Sequence, residues 1–344
     1  MRQTVPQDIP ALAIDNVTKC YSQWMRSGKA RDIIKNLIHP EKREILALDH
    51  LSLTVRPGEF VAYAGSNGAG KSTTIKLLSG ILQPTEGNIS VLGMNPAVDR
   101  IPLMRQIGVL FGQRTELWWD NPVITSFEWK KQVWNIPDSV YERNLAMVAE
   151  LLDLEEILHT FARELSLGQR MRADIGMLLL HSPSVIFLDE PTLGLDVLAK
   201  QQMIRFLKQL NEEAGTTIIV TSHDMDDLEE MAKRIILLDK GKIQFDGSFD
   251  KLRAATGGSG RLSVTFRQKG REIPGLRLLQ NQEPAYGQDG SGRLVTAEYE
   301  FNKEETGIHE ILGLLSRYPD VIDVEIRKAP IEDVIAGLYL SWKQ

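Results

Sequence analysis

The residues with the clearest chemical meaning are Gly65, Ser66, Asn67, Gly68, Ala69, Gly70, Lys71 and Ser72, which follow an apolar run and open a helical pattern. Glycines at 65, 68 and 70 let successive backbone N–H groups turn inward around phosphate oxygens, and the helix N-terminus adds a field that favours an anion. A strand, this loop and a helix in that order are the context a phosphate-binding loop requires. Lys71 then reaches the β- and γ-phosphates, the Ser72 hydroxyl ligates Mg²⁺, and Thr73 extends the nucleotide-contacting set into the first helical turn. The bland alternative is a glycine-rich turn without a ligand.

A second group of chemical residues ends the run Val185-Ile-Phe-Leu-Asp189-Glu190. A buried apolar strand delivers two adjacent acids at its C-terminal end, where ligands of open α/β sheets collect. Asp189 is placed to hold Mg²⁺ through water. Glu190, pointing elsewhere, is placed to take a proton from an attacking water as general base. Alone, the pair reads equally well as a loop cap; downstream of a phosphate-binding loop it reads as catalytic.

Between them lies Leu165-Ser166-Leu167-Gly168-Gln169-Arg170, which in isolation could simply start a helix. In this order the motifs identify a family: the chain resembles the nucleotide-binding subunits of ATP-binding-cassette (ABC) proteins, whose signature reads Leu-Ser-Gly-Gly-Gln. Leu167 replaces the first glycine and leaves Ser166, Gly168 and Gln169 in place. The resemblance, over roughly residues 11–250, implies further assignments. Gln113, in Val109-Leu-Phe-Gly-Gln, corresponds to the glutamine that touches Mg²⁺ or water and links the core to a helical subdomain. Leu193-Gly-Leu-Asp196 looks like the loop that crosses the dimer interface. His223, in Thr221-Ser-His, matches the histidine that contacts the γ-phosphate, and Tyr21 is the candidate for the aromatic that stacks on adenine.

The resemblance implies an α/β fold: a P-loop NTPase core of ABC type with an inserted helical subdomain, plus a small α+β C-terminal domain. It also implies ATP and Mg²⁺ as ligands, ATP hydrolysis coupled to transport, and a homodimer sandwiching two ATP molecules. Each site would combine the phosphate loop of one copy with Ser166, Gly168 and Gln169 of the other. Within the family, the phrase from Phe111 to Asp120, the Leu167 variant and the tail from Lys328 look like bacterial exporter ATPases of the daunorubicin and viologen type. Such subunits work with separately encoded membrane permeases. The rivals are an importer ATPase and a non-transport ABC ATPase acting on ribosomes or DNA.

The elements that must position these residues are legible from patterning. Apolar runs at Leu51–Val55, Phe60–Tyr63, Val185–Leu188, Thr217–Val220 and Ile235–Leu238 read as strands, and Val185–Leu188 lacks alternation, as a strand buried on both faces does. Residues 121–180 show helical periodicity without strands and read as the helical subdomain. Residues 1–255 are expected to form the ATPase domain. The small-residue stretch 254–260 reads as a linker, and 261–344 as an α+β domain with alternating runs at Leu262–Phe266, Leu294–Tyr299 and Val321–Ile326. Trp24–Glu44 reads as an insertion carrying a short basic amphipathic helix ended by Pro40.

Of 344 residues, 40 are basic and 46 acidic, a net charge of −6 without long single-sign blocks, which gives no electrostatic reason to expect a nucleic-acid partner. A hydrophobic content of 42% suffices for a sizeable core, and Cys20 is the only cysteine, so no disulfide framework or cysteine-rich metal site forms. The N-terminus lacks a signal pattern and no run approaches the ~18 apolar residues of a membrane span. The expected location is cytoplasmic, on the inner face of the membrane through the permease. Four of 6 tryptophans, Trp118, Trp119, Trp129 and Trp134, follow Gln113 closely; they either fill the helical subdomain's core or present anchors to a permease helix.

Overall fold

The structure, a computed structural model, describes residues 9–24, 42–112, 114–255, 259–267, 273–281, 285–286, 293–302 and 306–341. The chain divides into two compact units, residues 1–246 and 247–344.

The first unit is built on a six-stranded sheet. Its strands are β3 (Phe60–Gly65), β5 (Ile107–Phe111), β6 (Val185–Asp189), β7 (Thr217–Thr221), β8 (Arg234–Asp239) and β9 (Lys242–Gly247), in the order β5-β6-β7-β3-β8-β9. β3 pairs in parallel with β7 and β8, and β6 in parallel with β5 and β7. Every residue of β3 and β7 is buried, which explains why these strands read as unbroken apolar runs. Because the pairs are parallel, the C-terminal ends of β3 and β6 open on the same edge of the sheet, and the phosphate-loop residues and the two acids emerge there.

A second, antiparallel sheet packs on this core. It contains β1 (Leu12–Trp24), β2 (Lys42–Val55) and β4 (Glu86–Val91) in the order β2-β1-β4. Leu12, Ile14, Leu48, Leu53 and Ile89 share one buried cluster with Tyr63, Ile75 and Phe187. The pairing of β1 with β2 runs out to Trp24 opposite Lys42, so the ends of the expected insertion belong to strands; its amphipathic helix lies outside the described residues.

Helix α1 (Lys71–Leu78) follows β3, and α2 (Arg100–Met104) precedes β5. Between Asn121 and Leu180 the chain forms α3 (Val123–Trp134), α4 (Asp138–Leu151), a single 3₁₀ turn (Ala162–Glu164) and α5 (Leu167–Leu179), with no strand, as the periodicity predicts. Helices α6 (Val197–Ala214) and α7 (Met225–Met231) complete the unit. No helix among the described residues is long and apolar enough to cross a membrane.

The second unit begins with α8 (Phe249–Ala254). It carries an antiparallel sheet of β10 (Ser259–Phe266), β11 (Arg277–Asn281), β13 (Arg293–Asn302) and β14 (Val321–Lys328), ordered β11-β13-β10-β14, with the short β12 (Ala285–Tyr286) paired to β13. Leu262, Val264, Phe266, Ala297, Tyr299 and Phe301 form a core with Ile311 and Leu315 of α9 (Ile308–Leu315); α10 (Ile331–Ser341) closes the described chain. The division between units falls ahead of the glycine-rich stretch, and the stretch is not all linker. Ala254 ends a helix, and Gly260 lies in β10, where a Cβ would stand 2.4 Å from the Phe301 ring. That glycine is there for close packing, which composition alone reads as flexibility.

Candidate functional site

The 65–72 loop runs from the end of β3 into α1, whose N-cap is Gly70 in a left-handed conformation with φ +113°. A Cβ at Gly70 would stand 2.6 Å from Leu48 and 2.8 Å from the Ala47 carbonyl oxygen, so both backbone shape and space demand glycine. Ser66, Asn67 and Gly68 face solvent, whereas Ala69, Gly70 and Lys71 are buried. Lys71 Nζ donates to the Gly65 carbonyl at 2.6 Å and to that of Ser66 at 3.3 Å, folding the ammonium back over the loop. Burial holds its pKa below the usual lysine range, partly offset by Glu190 and Asp189. A partly desolvated ammonium at the mouth of this loop gains from the arrival of an anion such as phosphate.

The acids of β6 meet this loop. Ser72 Oγ donates to Asp189 Oδ2 at 3.2 Å, and Thr221 Oγ1, at the end of the neighbouring β7, donates to Asp189 Oδ1 at 2.6 Å. A hydroxyl and a carboxylate converging on one point fit Mg²⁺, which takes few protein oxygens and completes its shell with phosphate and water. Glu190 is the first residue beyond β6 and is left-handed at φ +59°, unusual for a residue with a side chain. Its N–H donates to the Thr221 carbonyl at 3.1 Å, and to Thr221 Oγ1 at 3.2 Å. This turn swings the Glu190 side chain away from Asp189 to His223, whose Nε2 lies 2.7 Å from Glu190 Oε1.

Tyr21, on β1, comes to the same helix: its hydroxyl is 3.4 Å from Thr73 Oγ1, and the Lys19 ammonium lies 5.5 Å from its ring centroid. The structure thus brings Tyr21, the 65–73 loop, Asp189, Glu190 and His223 together. Gln113 lies outside the described residues.

Ser166, Gly168 and Gln169 stand apart. Ser166 is the N-cap of α5, its hydroxyl accepting from Gln169 N at 3.2 Å while Gln169 Oε1 accepts from Ser166 N at 2.9 Å, a complete capping box. Among the described residues no hydrogen bond or ion pair joins them to the phosphate loop of the same chain. Leu167 turns toward the 193–196 loop, its Cδ2 2.6 Å from where a Cβ on Gly194 would sit. The departure from the signature is therefore absorbed by packing, and the cap survives. Asp196 of that loop caps α6 through Leu198 N and Ala199 N.

Two buried charges that sequence reasoning missed lie against Thr115 and Glu116. Asp174 of α5 is buried, and its Oδ1 accepts from Thr115 Oγ1 at 2.9 Å and Glu116 N at 3.0 Å. Lys130 of α3 is also buried, 3.2 Å from Glu116 and 4.5 Å from the Trp134 ring centroid. The signal was an acid inside the apolar run Ala173–Leu180. Trp118, Trp119 and Trp129 are each about 40–50% exposed or slightly less, so neither member of the adjacent pair is a core residue.

Comparison with known proteins agrees with the geometry. Residues 48–193 match the ABC transporter family profile. A Methanosarcina mazei protein described as an ABC transporter ATP-binding protein is 35% identical over 250 residues, covering 71% of this chain and 50% of the relative. The chain thus spans about half the length of that relative. The phosphonates import ATP-binding protein PhnC 2 of Nostoc sp. is 34% identical, over 60% of this chain and 88% of the relative. Among solved structures, a dimeric post-hydrolysis state of an ATP-binding cassette bound to ADP and Pi superposes with a TM-score of 0.57 at 26% identity, covering 69% of this chain and 98% of that one.

Proposed function

The chain belongs to the ABC transporter ATP-binding proteins, and from that membership we propose that it binds and hydrolyses ATP to drive transport through a membrane permease. The observation that carries this reading is the convergence of Lys71, Ser72, Asp189, Glu190 and His223 on one edge of the sheet.

In this reading the 65–73 loop and Lys71 take the phosphates, and Tyr21 supplies an aromatic face for the base. Ser72 and Asp189 hold Mg²⁺, which when bound neutralises phosphate charge. Glu190 orients the attacking water and accepts its proton, and His223, already 2.7 Å from Glu190, fixes that carboxylate and reaches toward the γ-phosphate. Ser166, Gly168 and Gln169 have no partner at their own loop, and serve the loop of a second copy. Two-fold symmetry then gives two equal sites.

Permease contact falls to the groove lined by Ile81, Met104, Val109, Phe111, Lys130 and Trp134, with Trp118, Trp119 and Trp129 exposed nearby. Direction is the finer part. The sequence phrases around Phe111 and Leu167 favour export; likeness to the Nostoc phosphonates import protein favours the importer reading equally. Co-purification of the native membrane complex, with ATP-driven flux measured in inside-out and right-side-out vesicles, tests both. Absence of any integral membrane partner sinks the transport reading, and the sidedness of flux decides the direction.

A further inference from the structure

The face of α5 two turns beyond its cap carries an arrangement that hydrolysis alone does not require. Asp174 accepts two hydrogen bonds at one oxygen, from the Thr115 hydroxyl and the Glu116 backbone N–H. One turn earlier, the Arg170 guanidinium lies 4.8 Å from the Trp119 ring centroid. Residues four apart share a helix face, so the same face grips both ends of the 115–119 segment. From the other side, Lys130 of α3 pairs with Glu116, and Ser126 Oγ accepts from Trp118 N at 2.9 Å. From Thr115 onward this segment is fastened to the helical subdomain, and Gly112, at φ +47° with open space where its Cβ would be, stands just before it.

Such a grip has a cost that filling space does not explain. Asp174 is 6% exposed, and burial pushes its carboxyl up to about 6; an aliphatic side chain would fill the same volume without desolvating an acid.

Resting on the ATPase reading above, we infer that Asp174 is a positioning residue for the signature motif: it couples the segment after Gln113 to α5, and so places Ser166 against the nucleotide held by a second copy. The link is mechanical. Ser166 caps the helix on which Asp174 lies eight residues further on, about 12 Å along one rigid rod. A shift of Thr115 and Glu116 relative to the core therefore moves the Ser166 end with it. Among the described residues the hydrogen bonds of Asp174 go to Thr115 and Glu116 and none to the 65–73 loop, so its loss leaves that loop intact.

The test uses the full chain with Mg-ATP, measuring turnover per folded subunit, KM for ATP and melting temperature. Asp174→Ala removes the acceptor and should lower kcat at least tenfold with KM within twofold. Asp174→Asn keeps an oxygen where Oδ1 sits and should stay within threefold of wild type. Wild-type turnover in Asp174→Ala would reduce the residue to a structural role and overturn the inference, as would equal damage in Asp174→Asn. Should Asp174→Ala fail to fold, Thr115→Val removes one donor from the opposite side and should lower kcat at least threefold at unchanged KM; wild-type kcat there also overturns it. A wild-type chain without ATPase activity would instead refute the ATPase reading, before any variant is compared.

Discussion

Glu190→Gln separates binding from chemistry more cleanly than any other single change. The amide keeps the shape of the carboxylate and an oxygen at Oε1, so the 2.7 Å contact with His223 Nε2 persists. The backbone bonds from Glu190 N–H to Thr221 are unaffected, and glutamine tolerates φ +59° no worse than glutamate. Folding stability should therefore change by less than about 0.5 kcal/mol. Lys71, Ser72 and Asp189 remain, and a negative charge facing the γ-phosphate is gone, so ATP binding is retained or tightened. Only the proton acceptor is lost. General-base removal costs about 10²- to 10⁴-fold, which at about 1.36 kcal/mol per decade raises the barrier by roughly 3–5 kcal/mol. Phosphate release at saturating Mg-ATP, ATP affinity and ATP-dependent dimerisation by light scattering form the assay. Turnover within threefold of wild type, with normal binding, refutes the assignment of Glu190 as base.

Gly70→Ala puts a Cβ into Leu48 and the Ala47 carbonyl at positive φ; it should cost about 2 kcal/mol or more, visible as a melting point lowered by several degrees and loss of ATP binding. Ser166→Arg should abolish ATP-driven dimerisation while sparing monomer binding, and an equilibrium dialysis showing lost monomer affinity would contradict the shared site. Trp118→Ala or Trp119→Ala should leave the isolated chain folded, because both rings are substantially exposed, while at least one loses permease in co-purification; two variants with full permease binding refute the aromatic anchor. Burial lowers His181 to about 4, below its ordinary 6.5, so the neutral ring's contribution is complete above pH 6.5 and is lost as pH falls toward 4. Asp174, raised to about 6 from 3.8, has the opposite slope, losing stability as pH rises from about 4 to 6. Chemical denaturation across pH 4–8 should show each slope vanish in His181→Gln and Asp174→Asn respectively.

What was legible in the sequence is what chemistry or periodicity fixes locally. The 65–72 loop and the acids after β6 stood out because residue types in a fixed order point to their chemistry, His223 was reached only through the family resemblance, and the central parallel strands were readable because burial on both faces leaves unbroken apolar runs. β11 was not readable: Arg277–Asn281 is mixed in polarity, and its strand character comes from pairing with β13. Gly260 reads as part of a linker because composition carries no record of the ring 41 residues downstream that needs its missing Cβ.

Asp174 illustrates the deeper limit. A charged residue in a helical pattern reads as solvent-facing, and the apolar residues around it set the helix without revealing that this position points inward. Its burial becomes tolerable only through donors from Thr115 and Glu116, 59 and 58 residues away in the chain. The same holds for Lys130, whose ammonium is matched by Glu116 and the Trp134 ring. Both charges converge on one segment, the one that begins directly after Gln113. Local pattern accounts for the helices, whereas the few buried polar contacts tie particular helices and loops to one another, and it is on that second set that the proposed role of Asp174 rests.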